Sequence, residues 1–171
     1  MDTTTRSEFD IFRLRRVIAA ALKLPDTDVI GGWLPEDDER TRFITVDVIS
    51  QAEIGTAKRR YDGKTETITS SLMSTVSLSC YGNNALRVAT KLKTVMQSSR
   101  MIDALKAMNA GIVRFSDVRN LTSTIGAEYE ERGQFDCTIS HNHIIETPLE
   151  PIEQVDVHTN QKLTNQIRRN P

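Results

Sequence analysis

The segment EYEERGQFDCTISHNHIIE, residues 128–146, predicts a long β-strand with one buried face. From residue 135 to residue 141, an apolar side chain or a histidine takes every second position, and polar side chains take the positions between them. Side chains at alternate positions of a strand share one face of the sheet. The face that we expect to be buried carries Phe135, Cys137, Ile139 and His141.

Two earlier segments show the same two-residue period. TRFITVDVIS, residues 41–50, has β-branched residues at alternate positions, which predicts a strand with one face in water. In LMSTVSLSCYG, residues 72–82, one step of three residues interrupts the period and predicts a β-bulge. The side chains that we expect to be buried are Ile44, Val46, Val48, Met73, Val76, Leu78 and Cys80. Further strands are predicted in GIVRFSDV, residues 111–118, and PIEQVDVHTN, residues 151–160.

Three segments have the spacing of amphipathic helices. The first, residues 7–24, begins at Ser7, with Asp10 in the N3 place of a capping box. The third, SSRMIDALKAMNAG, is capped by Ser98 or Ser99 and ends at Gly111. The predicted stripe of the first helix is Ile11, Leu14, Ile18 and Ala21, widened by Phe12, Val17 and Leu22. That of the second is Leu86, Ala89, Leu92 and Met96.

The order of these elements is typical of an α+β domain, with a mostly antiparallel sheet and helices packed on one face. We expect one domain over residues 1–158, because 171 residues are too few for two domains of ordinary size. Residues 25–42, with the acidic run EDDER, read as a surface loop. Residues 159–171 read as a polar C-terminal extension.

The composition indicates a globular protein, with 38% hydrophobic and 26% charged residues. Its formal net charge of −1 gives no general attraction to nucleic acid or to anionic membranes. Cys80 and Cys137 lie in predicted strands and outside any CxxC motif, so we expect reduced, buried thiols. No segment has the apolar length of a membrane span or the pattern of a signal peptide, so we expect synthesis in a cytoplasm.

A protruding arm is predicted around Asp62-Gly63, a dipeptide typical of two-residue hairpin turns. Residues 58–71 contain only Tyr61 and Ile68 as large apolar side chains, so the arm has little to bury in its own core. We therefore expect it to contact other subunits or other proteins. The basic run Lys58, Arg59 and Arg60 has acidic neighbours, and such mixed charge is typical of an edge strand protected against aggregation.

A metal site is the sharpest chemical alternative. His141 and His143 would stand roughly 6–7 Å apart on one face of a strand, close enough to share an ion. Cys137 would lie about 13 Å from His141 along the same strand, too far to be a third ligand. We therefore predict no structural metal and no cofactor, with this histidine pair as a weak candidate only.

Motifs of the common enzyme classes are missing. There is no GxSxG turn, no motif that pairs a cysteine with a base, and neither GxGxxG nor GxxxxGK[ST]. We therefore expect a protein that is not an enzyme.

Three short patterns, in order, connect the chain to a known family. A strand runs into Tyr81-Gly82 and a helix, VRNL follows at residues 118–121, and ERGQFD lies at residues 131–136. With these features the chain, over residues 40–158, resembles the neck or tail terminator family of long-tailed bacteriophages. It departs from the family pattern at Asn120 and Gly133, where Asp and Ala are more usual.

The resemblance implies a structural protein of the virion tail or neck, made in the host cytoplasm. It implies a ring, hexameric by the resemblance, that closes the head-proximal end of the tail tube and joins it to the neck or connector protein. Tail tube, connector and, where a tail has one, the sheath are then its partners, and genomic DNA passes through the lumen without specific binding.

The residues that we expect in assembly contacts lie in the arm and in the C-terminal extension. In the extension, two apolar side chains four positions apart would support one helical turn on a partner. The full set is Lys58, Arg59, Arg60, Tyr61, Lys64, Leu163, Ile167, Arg168 and Arg169. A soluble interaction module from outside viruses is the alternative, and a ring of defined size would favour the terminator.

Overall fold

The computed structural model of the protein describes residues 3–32, 42–125, 128–149, 154–158 and 164–168. Its helices are α1 (Ile11–Leu22), α2 (Ala85–Val95) and α3 (Ser99–Lys106). Its strands are β1 (Thr4–Ser7), β2 (Val29–Ile30), β3 (Phe43–Glu53), β4 (Lys58–Tyr61), β5 (Thr65–Tyr81), β6 (Ala110–Phe115), β7 (Arg119–Asn120), β8 (Ser123–Ile125), β9 (Glu128–Glu130), β10 (Arg132–Pro148), β11 (Gln154–His158) and β12 (Thr164–Arg168).

Two antiparallel strands of 17 residues, β5 and β10, form the centre of an eight-stranded sheet. They pair without interruption from Tyr81–Arg132 to Thr65–Pro148. The far side of β5 pairs with β3 and then β4, and the far side of β10 pairs with β7, β6 and β1. Among the strands of the described residues, only β2, which lies beside β3, is in a parallel pair. The predicted α+β fold with a mostly antiparallel sheet is therefore confirmed.

All three helices pack on one face of this sheet. The core there contains Leu14 and Ile18 of α1, Ala89 and Leu92 of α2, and Met101 and Leu105 of α3, all buried. The sheet contributes the alternate residues Ile44, Val46, Val76, Leu78, Cys80, Phe135, Cys137 and Ile139. The buried face predicted for residues 135–141 is confirmed.

Helix α1 begins later than predicted. Ser7 lies in β1, and Asp10 is the N-cap, whose carboxylate accepts a hydrogen bond from the Arg13 N–H at 2.9 Å. Phe12, assigned to the stripe, is 66% exposed, because it lies on the side of α1 away from the sheet.

The predictions for α2 and α3 were partly right. In α2 the buried position at the first turn belongs to Ala85, and Leu86 is 43% exposed. Ser98 caps α3 as predicted, since its hydroxyl accepts from the Met101 N–H at 3.4 Å. The chain leaves α3 through Asn109, which adopts the left-handed conformation (φ 53°), and Gly111 lies in β6.

The period of β5 is unbroken, so the bulge predicted there is wrong. Ser74 takes the buried position that we assigned to Met73. The irregularity lies instead in the neighbouring β3, between Val48 and Ser50. Val48, which comes just before this shift, is 40% exposed rather than buried.

The arm is wider than the predicted hairpin. It consists of β4, residues 65–71 of β5, residues 142–148 of β10, and β1, so it has four strands in the order β4-β5-β10-β1. The rest of the sheet, with its helices, we call the body. Among the described residues, every buried apolar side chain lies in the body.

Two predicted regions fall partly outside the described residues. Residues 25–42 contain a short 3-10 turn (Asp26–Asp28) and β2, and the EDDER run lies outside the described part. In the C-terminal extension, β12 pairs antiparallel with β11, so residues 164–168 form a strand in the single chain, and the helical turn on a partner stays a prediction. Among the described residues, no helix is long and apolar enough to cross a membrane.

Candidate assembly surfaces

The face of the sheet opposite the helices, which we call the open face, is polar in the body. Its central positions belong to serine, threonine and glutamine, together with charged residues at its margins. The residues that share it are Phe43, Thr45, Asp47, Thr75, Ser77, Ser79, Tyr81, Arg114, Arg132, Gln134, Asp136 and Thr138. Phe43 and Tyr81 stack on each other at one end of this face, with 4.5 Å between ring centroids, and the described residues between that end and the arm are polar.

Longer side chains lie over the hydroxyl groups of the open face and hold them in a network. Gln134 Nε2 donates to Ser77 Oγ at 2.7 Å. Arg132 donates to Ser79 Oγ and to Gln134 Oε1, each at 3.2 Å, and its guanidinium lies over the ring of Tyr81. These contacts bury Ser77 and Ser79 without any covering layer.

Two ion pairs neutralise charge on the open face. Arg119 contacts Asp136 at 2.6 Å, and Arg15 of α1 reaches Asp47 at 3.1 Å while donating to the carbonyl of Val46. The two pairs offset the charge of both aspartates on this face, where Arg114 and Arg132 add positive charge.

The arm continues the open face away from the body. There the face carries threonines of β5, Ile144 and Glu146 of β10, and Lys58 and Arg60 of β4. The opposite side of the arm presents Ile68 beside Ile145, both half-buried, next to Arg59. The arm is therefore amphipathic only weakly.

A tight turn joins β4 to β5. The Asp62 carboxylate accepts from the N–H groups of Lys64 and Thr65, at 3.0 and 2.8 Å, and these bonds lower the pKa of Asp62. Gly63 follows with φ +106°, a conformation that favours glycine. The hairpin predicted from Asp62-Gly63 is thus confirmed, with Gly63 and Lys64 as its two central residues.

His141 is part of the packing where the arm meets the body. Its Nε2 lies 2.8 Å from Ser74 Oγ, and its ring stacks on Phe9 at 5.1 Å between centroids. Burial, and next the charge of His143, lower the pKa of His141. Among the described residues, no group of three or more His, Cys, Asp or Glu is placed to hold a metal.

Cys80 and Cys137 are both buried and unpaired, as predicted. In the sheet Cys80 lies opposite Gly133, and Cys137 lies opposite Val76, so the two thiols are in different rows. Burial raises the pKa of each thiol to about 12, which leaves neither available as a nucleophile.

The structure brings the predicted arm residues together at one edge. Lys58, Arg59, Arg60 and Tyr61 form β4, all exposed, and Lys64 is exposed at the turn. Ile167 and Arg168 lie in β12, which pairs with β11 in a separate two-stranded sheet. Ile167 is opposite Val155 in that pair. Leu163 and Arg169 lie outside the described residues.

Sequence reasoning missed two surfaces. The serines that alternate with Val76 and Leu78 indicate that the strand has a polar face. The sequence prediction above concerned only its buried, apolar face. Strand β1 had a weaker signal in the three threonines at residues 3–5, which are β-branched and favour strands.

Two comparisons with known proteins indicate what kind of protein carries these surfaces. Residues 13–166, nearly the entire chain, match the model of a family described as phage neck terminator protein. A search of curated proteins found no match.

Proposed function

The chain belongs to the phage neck terminator family, whose members are structural, non-enzymatic proteins of the virion tail and neck, and on that premise we propose that it acts as a ring. The ring, hexameric by family resemblance, caps the head-proximal end of the tail tube and joins it to the connector. Its partners are further copies of itself, the tube protein, the connector protein and, in a contractile tail, the sheath.

The observation that carries this proposal is the asymmetry of the sheet. One face is sealed by three helices, and the other is a hydrogen-bonded polar surface. In the ring, the open face lines the lumen and the helices lie outside. Serine, threonine and glutamine make up most of this lumen, and its cations, among them Arg132, Lys58 and Arg60, contact phosphates without reading base sequence, so DNA passes without specific binding.

The arm supplies contacts between subunits in this proposal. It projects four strands beyond the core, and its outer strand presents Lys58, Arg59, Arg60 and Tyr61, with Lys64 at the tip. A sheet with so little buried apolar surface gains stability by packing against neighbours.

The C-terminal extension, residues 159–171, is the proposed contact to a neighbouring tail or neck protein. It includes Leu163, Ile167, Arg168 and Arg169. Arginines pair well with partner carboxylates, because the guanidinium can donate two parallel hydrogen bonds.

Measuring the mass of the purified particle in solution, with negative-stain images, tests the ring. We expect one dominant ring with a central hole, and gold-labelled antibody should mark the head–tail junction of virions. The double variant Arg59→Glu/Arg60→Glu should reduce ring formation. Lys91→Glu, at an exposed site on α2, is the matched control and should not. A monomer at all concentrations, together with no label at the junction, would contradict the proposal.

A further inference from the structure

We propose that β4 of one copy pairs antiparallel with β1 of the next copy, so that the arms of the ring join into one closed sheet. This inference rests on the proposed ring and names the contact that closes it. The partner is a second copy of this chain, and the bonds between copies are main-chain hydrogen bonds.

Both outer edges of the arm are open. Among the described residues, β4 pairs only with β5, and β1 pairs only with β10. Residues 58–61 and 3–6 are exposed. A free edge presents unpaired N–H and C=O groups, which are a template for another strand.

The free edges of β4 and β1 lie at the same level along the strand direction, which we call their height. One row of directly opposed residues crosses all four strands: Arg59, Ile68, Ile145 and Thr5. The next row crosses them at Arg60, Thr67, Glu146 and Thr4. Edges of equal height can meet around an axis without a step along the strands, and a head-to-tail contact without a step closes into a ring rather than a helix.

Strand direction also fits. Each neighbouring pair in β4-β5-β10-β1 is antiparallel. With four strands, β4 and β1 therefore run in opposite directions, and β4 meets the next copy's β1 as another antiparallel pair. The closed sheet is antiparallel throughout.

The hydrogen-bond phase matches at both edges. In antiparallel pairs, residues that exchange main-chain bonds alternate with residues that do not. Asp62 N–H donates to Thr65 O at 3.2 Å, so by alternation Arg59 turns its own N–H and C=O away from β5, toward the free edge.

On the other side, Leu149 N–H donates to Lys64 O at 2.9 Å, which places Ile68 and Ile145 in a bonded pair. The main-chain groups of Ile145 are thus used by β5, and those of Thr5 face the free edge of β1. The main-chain N–H and C=O groups of Arg59 in one copy can then form hydrogen bonds with those of Thr5 in the next copy.

Charge selects this head-to-tail contact over a symmetric one. Two copies of β4 paired with each other would oppose Lys58, Arg59 and Arg60 to the same cations, and opposed like charges destabilise a sheet. Against β1, Arg59 and Arg60 meet Thr5 and Thr4, which are neutral. Lys58 meets Arg6, whose charge is already paired with Glu146 at 2.6 Å, so this contact opposes fewer like charges than the symmetric one.

A disulfide test follows from the register. Thr4 and Arg60 form the proposed non-bonded pair across the junction, where side chains are closest. The double variant Thr4→Cys/Arg60→Cys, mildly oxidised, should give a ladder of linked chains ending at the ring size on a non-reducing gel. Thr4→Cys/Arg59→Cys, whose thiols lie on opposite faces of the sheet, is the control and should not. The buried native thiols should give no background.

A main-chain test is independent of disulfide geometry. Arg59→Pro removes the N–H that faces the free edge and leaves the β5 ladder intact, whereas Arg59→Ala removes only the side chain. Both should keep the circular dichroism spectrum of the parent, and only the proline variant should lose rings at least tenfold by mass analysis.

The outcomes separate this inference from the ring itself. A parent ring without a ladder in the Thr4→Cys/Arg60→Cys variant would overturn the strand pairing and leave the proposed function standing. Linked dimers from Arg60→Cys alone would show symmetric pairing of β4 and would also overturn it. A parent that forms no ring and no ladder would overturn both.

Discussion

Gly133 lies where the first turn of α2 rests on β10. A Cβ at this position would come within 2.7 Å of the Ala85 carbonyl oxygen and 2.8 Å of the Leu86 Cα. Both are main-chain atoms at the start of a helix, so they cannot move alone. The glycine thus permits a close approach of helix and strand, which outweighs its weakness as a strand former.

We expect Gly133→Ala to lower the free energy of unfolding by about 1–3 kcal/mol, because the added methyl overpacks this contact. Urea denaturation measures the change. Gly111→Ala is the control, since its Cβ would meet only Ser140 Oγ at 3.5 Å, an ordinary contact. A cost for Gly133→Ala no larger than that of the control would contradict the close approach.

His141 makes stability depend on pH. Burial lowers its pKa in the folded protein, while the unfolded chain keeps the ordinary value of 6.5. Its contribution is therefore fully present above pH 6.5 and is lost as pH falls from 6.5 through the folded pKa, because the unfolded state takes up the proton first.

We expect the urea midpoint of the parent protein to fall between pH 7 and pH 5.5, and His141→Gln to flatten this fall. His143→Gln keeps the buried ring and should retain most of the slope. Equal slopes in the parent and in His141→Gln would mean that another group titrates.

At the scale of single residues, the sequence predicted what depends on near neighbours. Ser98 caps α3 because its partner, the Met101 N–H, is three positions away. The assignment of Met73 to the core was wrong. Ser74 is buried there instead, and its hydroxyl contacts the ring of His141, which is 67 positions away in sequence. No local pattern carries that contact.

Among the elements, the β4–β5 turn depends on Gly63. At φ +106° a side chain is strained, since its Cβ crowds the backbone, and the cost is about 1–2 kcal/mol.

We expect Gly63→Ala to speed hydrogen exchange of the bonded arm amides of Arg60 and Asp62 about fivefold to thirtyfold, and to leave the body amides unchanged. Lys64→Ala, in the same turn without a positive φ, should exchange like the parent. Uniform acceleration across arm and body would show that the arm unfolds only with the body.

The arm also shows which elements a local sequence pattern can predict and which it cannot. Asp62-Gly63 predicted the β4–β5 hairpin because a turn is local. The joining of β10 and β1 on the other side was not predicted, since Thr5 pairs with Ile145 across 140 positions of chain. The bulge was placed in β5 for the same reason, because the residues that shift register are in β3.

For the whole molecule, the proposed position of the open face makes a prediction about DNA. Thr69→Lys adds a cation to that face in every copy, and we expect the ring to bind linear duplex DNA more tightly, with a steeper dependence on salt. Gln97→Lys adds the same charge at an exposed site beyond α2, on the helix side, and should bind like the parent. Tighter binding by Gln97→Lys than by Thr69→Lys would place the helices, not the open face, at the lumen.

The fold class was predictable from the order of elements, because helices and strands follow from local periodicity. The β4 residues that we propose for assembly were chosen from composition alone, and the structure gathers them on one exposed strand. What one chain's sequence does not encode locally is the matching height of the two arm edges, which depends on the register of four strands.

The pairing of β5 with β10 also has a consequence for how the chain reaches this structure. The paired residues are separated by 51 positions at Tyr81–Arg132 and by 83 at Thr65–Pro148. Distant pairing must overcome a large loop-closure entropy before any contact compensates it, so such sheets fold slowly, in milliseconds to seconds. During synthesis, β5 has no β10 residue to pair with until residue 132 has emerged, and the pairing is complete only after residue 148. The central pair of the sheet therefore forms after β3, β5 and all three helices have been synthesised.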